Sequence, residues 1–285
     1  MQIRMMRRLI LIDPTTPTPP PVPFRFTRSD MTRAPTRTPL HSSELIRILA
    51  DLAVVDAVEP GSAFAEKLGR WFSLHESIAL HAAHNAGTAR PTAQPIGATS
   101  SARAAANASL AQTRTRLENA ITGRGAPSIG RIELPEPHPS EPLDSPSAYE
   151  PYRRYYQGHQ RAFATSLQPL RAQLREVLAK ASPALKQLAA LDAVFDDILS
   201  ERESKLLATV PLLLKRRFEQ LRQSHQQVLT DTPQADTPAQ PMHTPGWLVR
   251  FGHELQTVLL AELDVRLQPA LGLIEALHHE TSTHP

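Results

Sequence analysis

The chain has 285 residues, of which 31 are Lys or Arg and 28 are Asp or Glu, giving a formal net charge of +3. It contains no cysteine, which excludes disulfides, thiolate metal sites and cysteine nucleophiles. With only 11 glycines against 27 prolines, glycine-loop nucleotide folds and turn-rich β-sandwiches are disfavoured, while the length is enough for one or two domains with a hydrophobic core.

The first 40 residues are rich in Pro, Thr and Arg, which predicts a disordered tail. Residues 1–30 hold five arginines against two aspartates, so this segment alone carries the net charge of +3. Its apolar run, 9–12, is too short for a secretory signal, which needs roughly 7–15 apolar residues. We expect Met31, which opens a fresh Arg/Thr/Pro stretch, to be the natural start; a genuine disordered arm is the alternative.

Two amphipathic segments predict an N-terminal helical hairpin over residues 41–87. The first segment, 43–58, begins after serines that can cap a helix and is ended by Pro60-Gly61. The second segment covers 62–85 and precedes a glycine, a common helix stop. Because the connection is short, we expect the two helices to be antiparallel.

Residues 88–147 have the composition of a linker that contains one helix. An alanine-rich stretch over 102–122 carries a thin apolar stripe and is followed by Gly123. Six prolines between 127 and 146 then exclude regular structure. We therefore expect a long Pro-rich loop between two helical regions.

The strongest helical pattern covers residues 148–280 and predicts a bundle of long helices. Ser182-Pro183 is typical of an N-cap followed by proline in the first turn, which divides two helices. Apolar residues between 207 and 228 recur at steps of 3, 4, 4, 3 and 7, a near-heptad seam, and we expect Pro211 to kink or split that helix. The helix-interface residues predicted here are Leu207, Leu214, Phe218, Leu221, Leu255 and Leu263.

No alternating apolar pattern of useful length occurs, so the sequence predicts an all-α fold. We expect long antiparallel helices in a bundle or coiled-coil-like arrangement, with a Pro-rich disordered N-terminus and linkers. No run of about 18 apolar residues is present, so we expect no direct insertion into a membrane. The absence of cysteine fits a cytoplasmic location.

The sequence carries no active-site motif that we recognise. Three His-Glu pairs begin at His75, His253 and His279, but none has the second His four residues on that a zinc protease requires. There is no phosphate-binding Gly/Lys/Ser loop, no dinucleotide fingerprint and no nucleophile elbow. We therefore expect a protein without catalytic residues, metal or cofactor.

Two clusters of ligand-type residues have simpler interpretations. His75, His81 and His84 could hold a metal with a fourth ligand from elsewhere, but partly exposed histidines at the rim of a helical hairpin explain them as well. Asp192, Asp196 and Asp197 lie on one predicted helix, where two carboxylates could perform acid/base chemistry if burial separates their pKa values, but basic residues are interleaved with the acids that follow. That pattern is typical of a solvated helix face.

The most suggestive cluster is a Tyr/Arg segment over 152–161, and a second basic cluster lies at 215–217. Arginines contact phosphates and aromatic rings stack on bases, so the segment could bind nucleic acid. Alternatively, its tyrosines pack at a helix end while its arginines face water. The neutral body disfavours strong nonspecific binding. The candidate nucleic-acid contacts are Arg153, Arg154, Tyr155, Tyr156, Arg161, Lys215, Arg216 and Arg217.

Several stretches resemble one uncharacterised bacterial family, the domain-of-unknown-function family 3348, over about Met31 to Leu277. They include Tyr152-Arg153-Arg154-Tyr155-Tyr156, Leu206-Leu207-Ala208-Thr209-Val210-Pro211 and Leu260-Ala261-Glu262-Leu263. The resemblance implies no catalytic residues. It implies a genomic setting beside stator-like and OmpA-like membrane proteins, similar to that of type III Zorya anti-phage systems.

Two functions follow from these observations. The first is a non-enzymatic, homo-oligomeric interaction or scaffold protein that serves as a cytoplasmic partner or effector of a stator-like, motor-type membrane complex in anti-phage defence. The alternative is a nucleic-acid-binding module that uses the Tyr/Arg segment.

Overall fold

The structure, a computed structural model, describes residues 43–52, 72–85, 96–124, 132–136, 145, 147–231 and 246–282. All of these residues lie within one unit of the chain, Leu40–Pro285. The predictions for residues 1–40, including the tail and the start at Met31, lie outside the described residues.

The described part of the chain folds into seven α-helices and contains no strand, so the all-α prediction is confirmed. The helices are α1 (Glu44–Asp51), α2 (Leu74–Asn85), α3 (Ile96–Thr122), α4 (Glu150–Ala181), α5 (Pro183–Leu207), α6 (Val210–Asp231) and α7 (Gly246–Ser282). At about 1.5 Å per residue, α7 is about 55 Å long. None of these seven helices combines the length and apolarity needed to cross a membrane.

Local sequence signals set several helix ends. The hydroxyl of Ser43 accepts a hydrogen bond from the Ile46 amide at the start of α1. The hydroxyl of Ser182 does the same for the Leu185 amide, with Pro183 as the first residue of α5, as the sequence predicts. After α3, Gly123 has a φ of 74°, a left-handed conformation that glycine adopts without steric cost.

The two longest helices, α4 and α7, are neighbours that run in the same direction. Tyr152 of α4 packs on Phe251 of α7, with ring centroids 5.4 Å apart, and further along both helices Tyr156 donates to Glu262. The contact points therefore advance together along the two helices. Both helices contribute many fully buried side chains to one core.

The other bundle helices run antiparallel to α4. Ser109, in the middle of α3, bonds to Gln173 late in α4, whereas Ile121, at the end of α3, bonds to Tyr155 early in α4. The two helices therefore run in opposite directions. Helix α5 folds back on α4 directly after Ser182, and α6 continues the path of α5 after a break at 208–209. Helix α3, the alanine-rich helix of the predicted linker segment, thus packs along both α4 and α7.

The two N-terminal helices have different partners. Helix α1 packs against α7, whereas α2 packs against α5. The connection between α1 and α2, on which the hairpin prediction depends, lies outside the described residues.

Residues 132–136, part of the predicted Pro-rich loop, cross α4 and α7 at two glycines. A Cβ atom on Gly158 would lie 3.2 Å from Ile132, and one on Gly252 would lie 3.1 Å from Leu134. Glycine at these two positions therefore allows the crossing segment to approach the helices closely.

The predicted helix-interface residues are all buried in the core of this one chain. Pro211, the second residue of α6, splits the predicted long helix rather than kinking it. The core members from the predicted set are Leu207, Leu214, Phe218, Leu221, Leu255 and Leu263.

Candidate interaction surface and its buried support

The Tyr/Arg segment is divided between two sides of α4. Tyr155 and Tyr156 are buried, the latter completely, whereas the side chain of Arg154 is 72% exposed. Helical periodicity explains the division, because residues three or four apart share a face and Arg154 falls on the opposite one. The two predicted stacking rings therefore lie in the core, where no base can reach them without unfolding this part of α4.

The hydroxyls of three tyrosines, two on α4 and one directly before it, form hydrogen bonds to three other helices. Tyr149, the residue before α4, donates to the carbonyl oxygen of Pro211 in α6 at 2.5 Å. Tyr155 donates to the carbonyl oxygen of Ile121 at the end of α3, at 3.0 Å. Tyr156 donates to Glu262 of α7 at 2.7 Å, and burial raises the pKa of Tyr156 well above its ordinary value.

The break between α5 and α6 is stabilised by a side chain of α4. In a continuous helix the amide of residue 211 would donate to the carbonyl of residue 207, but Pro211 has no N–H. Gln160 supplies the missing donor, because its Nε2 lies 2.9 Å from the carbonyl oxygen of Leu207. The same amide nitrogen lies 3.1 Å from both carboxylate oxygens of Glu262.

Glu262 is a completely buried carboxylate with three partners. It accepts hydrogen bonds from Tyr156 and Gln160 of α4, and from Arg266 one turn further along α7 at 2.9 Å. Arg266 also lies 3.5 Å from Glu203 near the end of α5. Burial raises the pKa of Glu203, although Arg266 acts to lower it. This buried network joins α4, α5 and α7.

A second group of charges locks α4 against α5. Arg171 and Arg175 of α4 bind Asp192 and Asp196 of α5 through four contacts of 2.6–3.1 Å. The side chain of Asp192 is only 12% exposed, which corrects the interpretation of these aspartates as a solvated face. Their partners lie on the preceding helix, so the spacing of charges along α5 alone gave the wrong expectation.

A cavity of about 250 Å³ with a mixed polar and apolar lining lies between α4, α5 and α7, beside both charge networks. Arg171 and Arg266 line it together with Glu203 and small polar side chains of α5. Each of the two arginines already contacts two carboxylates. Their donors are therefore engaged within the protein rather than presented to an anionic ligand.

The two basic clusters predicted from the sequence meet at the start of α4 and α6. Glu150 accepts hydrogen bonds of 2.8 and 2.9 Å from Arg153 and lies 3.6 Å from Arg154. The bond from Arg153 lowers the pKa of Glu150, and Lys215 of α6 also lowers it. Two arginines of α4 thus contact a single carboxylate, and a lysine of α6 acts on it electrostatically.

We call this region the basic surface and define it by Glu150, Arg153, Arg154, Leu212, Lys215 and Arg216. Arg216 is exposed beside Lys215, and Leu212 is 60% exposed one turn before them. Packing of Tyr149 and Tyr152 on Phe218, with ring centroids 5.6 and 5.8 Å apart, holds the two helix starts together.

Two of the predicted nucleic-acid contacts lie away from the basic surface as defined. Arg217 points to α7, where it makes two 2.8 Å bonds to Glu254 and is only 15% exposed. Burial acts to raise the pKa of Glu254, but the bonds from Arg217 and Arg250 outweigh it and the pKa is lowered. Arg161 is exposed two turns beyond Arg154 on α4.

The histidines predicted as possible ligands are exposed on α2, and His81 contacts Asn85 at 2.9 Å. Within the described residues no group of three His, Asp or Glu side chains is placed to hold a metal ion.

Sequence reasoning missed a different histidine, His159, which is completely buried. Its ring packs against Tyr155 with centroids 4.6 Å apart, and neither ring nitrogen has a hydrogen-bond partner among the residues that the structure describes. Burial lowers the pKa of His159 to about 4. The available signal was its position on the apolar face of α4, between Tyr155 and Phe163.

Residues 31–279 match the model of a family described as "Protein of unknown function (DUF3348)". No curated protein and no solved structure matches the chain.

Proposed function

We propose that this chain, which belongs to the DUF3348 family, is a non-enzymatic helical interaction protein that docks through its basic surface. The observation that carries the proposal is the charge balance of that surface. The basic surface holds four cations, Arg153, Arg154, Lys215 and Arg216, against one carboxylate, Glu150, an excess of three positive charges.

The contrast between interior and surface charges supports a binding role. In the interior, Arg171, Arg175 and Arg266 bind carboxylates of neighbouring helices, so these ion pairs hold the bundle together. On the basic surface the cations outnumber their counter-charge, and a partner with acidic groups would restore the balance. Complementary charge of this kind favours correct encounter and orientation more than it adds affinity.

The finer proposal follows from the family resemblance. The chain serves as a homo-oligomeric cytoplasmic partner or effector of a stator-like membrane complex in anti-phage defence. Leu212 directly follows the family-like stretch Leu206-Leu207-Ala208-Thr209-Val210-Pro211, so this motif and the basic surface adjoin. Sedimentation velocity at micromolar concentration tests the oligomeric state, for which we expect a species larger than a monomer.

Co-expression with the stator-like and OmpA-like proteins encoded beside the gene tests the proposed partner. We expect the full-length chain to co-purify with them. R154Q/R216Q, which removes two exposed cations of the basic surface, should weaken this association. K180Q/K186Q removes two exposed cations where α4 ends and α5 begins, about 40 Å from Arg154, and should retain it. Absence of co-purification, or equal loss in both variants, contradicts the proposal.

Nucleic acid is a second candidate because the basic surface has the charge to contact phosphates. The buried positions of Tyr155 and Tyr156 remove the stacking groups on which the sequence argument relied. A shift assay with single-stranded and duplex probes at about 50 mM salt separates the two functions. Binding that falls with added salt and in R153Q/R154Q would favour nucleic acid.

A further inference from the structure

Leu212 is a large apolar side chain that is exposed among cations, and the proposed function does not explain its exposure. On α6 it precedes Lys215 and Arg216 by three and four residues, which places all three on adjoining parts of the helix surface. A single exposed leucine is ordinary in a protein surface. Here, however, Leu206, on the other side of the helix break, is also 60% exposed. Two large apolar side chains are therefore exposed within seven residues, and Leu212 lies one turn from Lys215 and Arg216.

The composition of this region distinguishes between possible anionic partners. A nucleic acid gains from aromatic rings that stack on bases, but the tyrosines here are turned into the core. An anionic bilayer gains from both features present, since lysines and arginines bind lipid phosphates while protruding leucines enter the boundary between headgroups and acyl chains. The exposed groups therefore match a lipid surface better than a phosphate backbone alone.

We infer that the basic surface, which includes Leu212, is a docking face for an anionic lipid bilayer. This inference rests on the proposed role of the surface in docking and adds the lipid around the proposed membrane complex to what the surface contacts. The protein would lie on the membrane without crossing it, with the starts of α4 and α6 towards the lipid. Such a position places an interaction protein beside membrane-embedded partners.

Flotation of the full-length chain with lipid vesicles tests the inference. The probes are phosphatidylcholine vesicles with about 30% phosphatidylglycerol and vesicles of phosphatidylcholine alone, at ionic strengths of about 0.1 and 0.5 M. We expect binding to the anionic vesicles at the lower ionic strength and little binding in the other conditions. Binding to neither vesicle type would overturn the inference.

Matched variants locate the contact. Each cation near an anionic bilayer raises partitioning about fivefold, so R154Q/R216Q should bind about 25-fold more weakly than the wild type. K180Q/K186Q, with the same loss of charge at the end of α4 and the start of α5, should bind like the wild type. Equal binding by all three proteins would overturn the inference, because charges elsewhere would then drive association.

Leu212→Ser tests the apolar contribution and should weaken binding to anionic vesicles about tenfold, since a partly inserted leucine loses its transfer free energy. Leu74→Ser, at the 80% exposed leucine of α2, is the control and should have no effect. Co-purification with the stator-like proteins in the absence of vesicle binding would reject the lipid surface as the occupant while leaving the proposed protein partner in place. A preference for nucleic acid over vesicles would reject the inference as well.

Discussion

Tyr156 and Tyr152 lie one helical turn apart on α4, yet their hydroxyls have different roles. Tyr156 donates to the buried carboxylate of Glu262, whereas the structure records no hydrogen bond for the Tyr152 hydroxyl and burial raises the pKa of Tyr152 to about 12. Hydrogen bonds to buried charged groups stabilise more than neutral ones, and an acceptor left without its donor is costly. The pair therefore offers a matched comparison.

We expect Tyr156→Phe to lower the free energy of unfolding by about 2 kcal/mol, because Glu262 loses one of its donors in a site without access to water. Tyr152→Phe should lower it by less than about 0.5 kcal/mol. Urea unfolding monitored by circular dichroism measures both. Equal effects of the two substitutions would show that the Glu262 bond does not stabilise the bundle.

His159 gives the chain a predictable response to acid. Its pKa is about 4 in the folded protein and about 6.5 when exposed, so the unfolded state binds the proton first as the pH falls. The contribution of His159 to stability is complete above about pH 6.5 and is lost as the pH falls towards 4. The full loss is about 3 kcal/mol, at 1.36 kcal/mol per pKa unit.

Replacing His159 by Leu should remove this part of the acid sensitivity. The difference in unfolding free energy between pH 7 and pH 4.5 should shrink by about 2 to 3 kcal/mol in His159→Leu. His253→Leu, at an exposed position of α7, should keep the wild-type difference. If both variants titrate like the wild type, His159 is not the group responsible.

At the scale of single residues, the sequence predicts which side chains are buried better than it predicts their hydrogen-bond partners. Helical periodicity alone predicts that the tyrosines of the Tyr/Arg segment pack in the core while its arginines face water. The buried Tyr156 and the exposed Arg154 are in accord with this prediction. The partners could not be predicted, because Tyr156 and Glu262 are 106 positions apart and no local spacing relates them. The same holds for the buried His159, because nothing in the Tyr/Arg segment around it indicates that the ring is buried without a hydrogen bond.

Helix ends inside a bundle need donors or acceptors from elsewhere, and here α4 provides them. Pro211 lacks the amide N–H that would donate to the carbonyl of Leu207, and the side-chain amide of Gln160 donates to that carbonyl instead. The carbonyl of Ile121 at the end of α3 is likewise bonded by Tyr155 and by Gln256 of α7. One face of α4 thus fixes where α3 ends and where α5 passes into α6.

A double-mutant cycle between Gln160 and Pro211 tests this account of the break. We expect Gln160→Leu to cost about 2 kcal/mol of unfolding free energy, because the Leu207 carbonyl and Glu262 both lose a donor. In a Pro211→Ala background the cost should be about 1 kcal/mol smaller, since the alanine amide becomes available to the Leu207 carbonyl. If the two substitutions change the free energy of unfolding additively, Gln160 does not replace the missing amide donor of Pro211.

At the scale of elements, the periodicity and the caps predict the helices themselves. Ser182-Pro183 marks the start of α5, and Pro211 marks the split between α5 and α6. The sequence did not predict which helices pack together. Arg171 and Asp192 form an ion pair between two helices, whereas the charge pattern of α5 alone shows only a row of acidic residues. The close crossing at Gly158 and Gly252 also depends on a contact that no local pattern encodes.

The whole molecule separates its charges by position. The half of the α4–α5 pair near Ser182 holds paired ions that lock the helices, whereas the starts of α4 and α6 carry cations in excess. This arrangement arises because α5 folds back along α4 and α6 then passes beside the start of α4. The two basic clusters, about 60 residues apart in sequence, are thereby combined into one surface, which composition and net charge could not predict.

The central claim is that the chain docks through this basic surface, and hydrogen–deuterium exchange on the bound protein locates the contact directly. Compared with the unbound chain, the complex co-purified with the stator-like proteins should show slowed exchange at residues 150–154 and 212–216. Exchange at 180–186, the junction of α4 and α5 with its exposed lysines, should not change. Protection confined to 180–186 or to the α2 helix, with none at the starts of α4 and α6, would contradict the account.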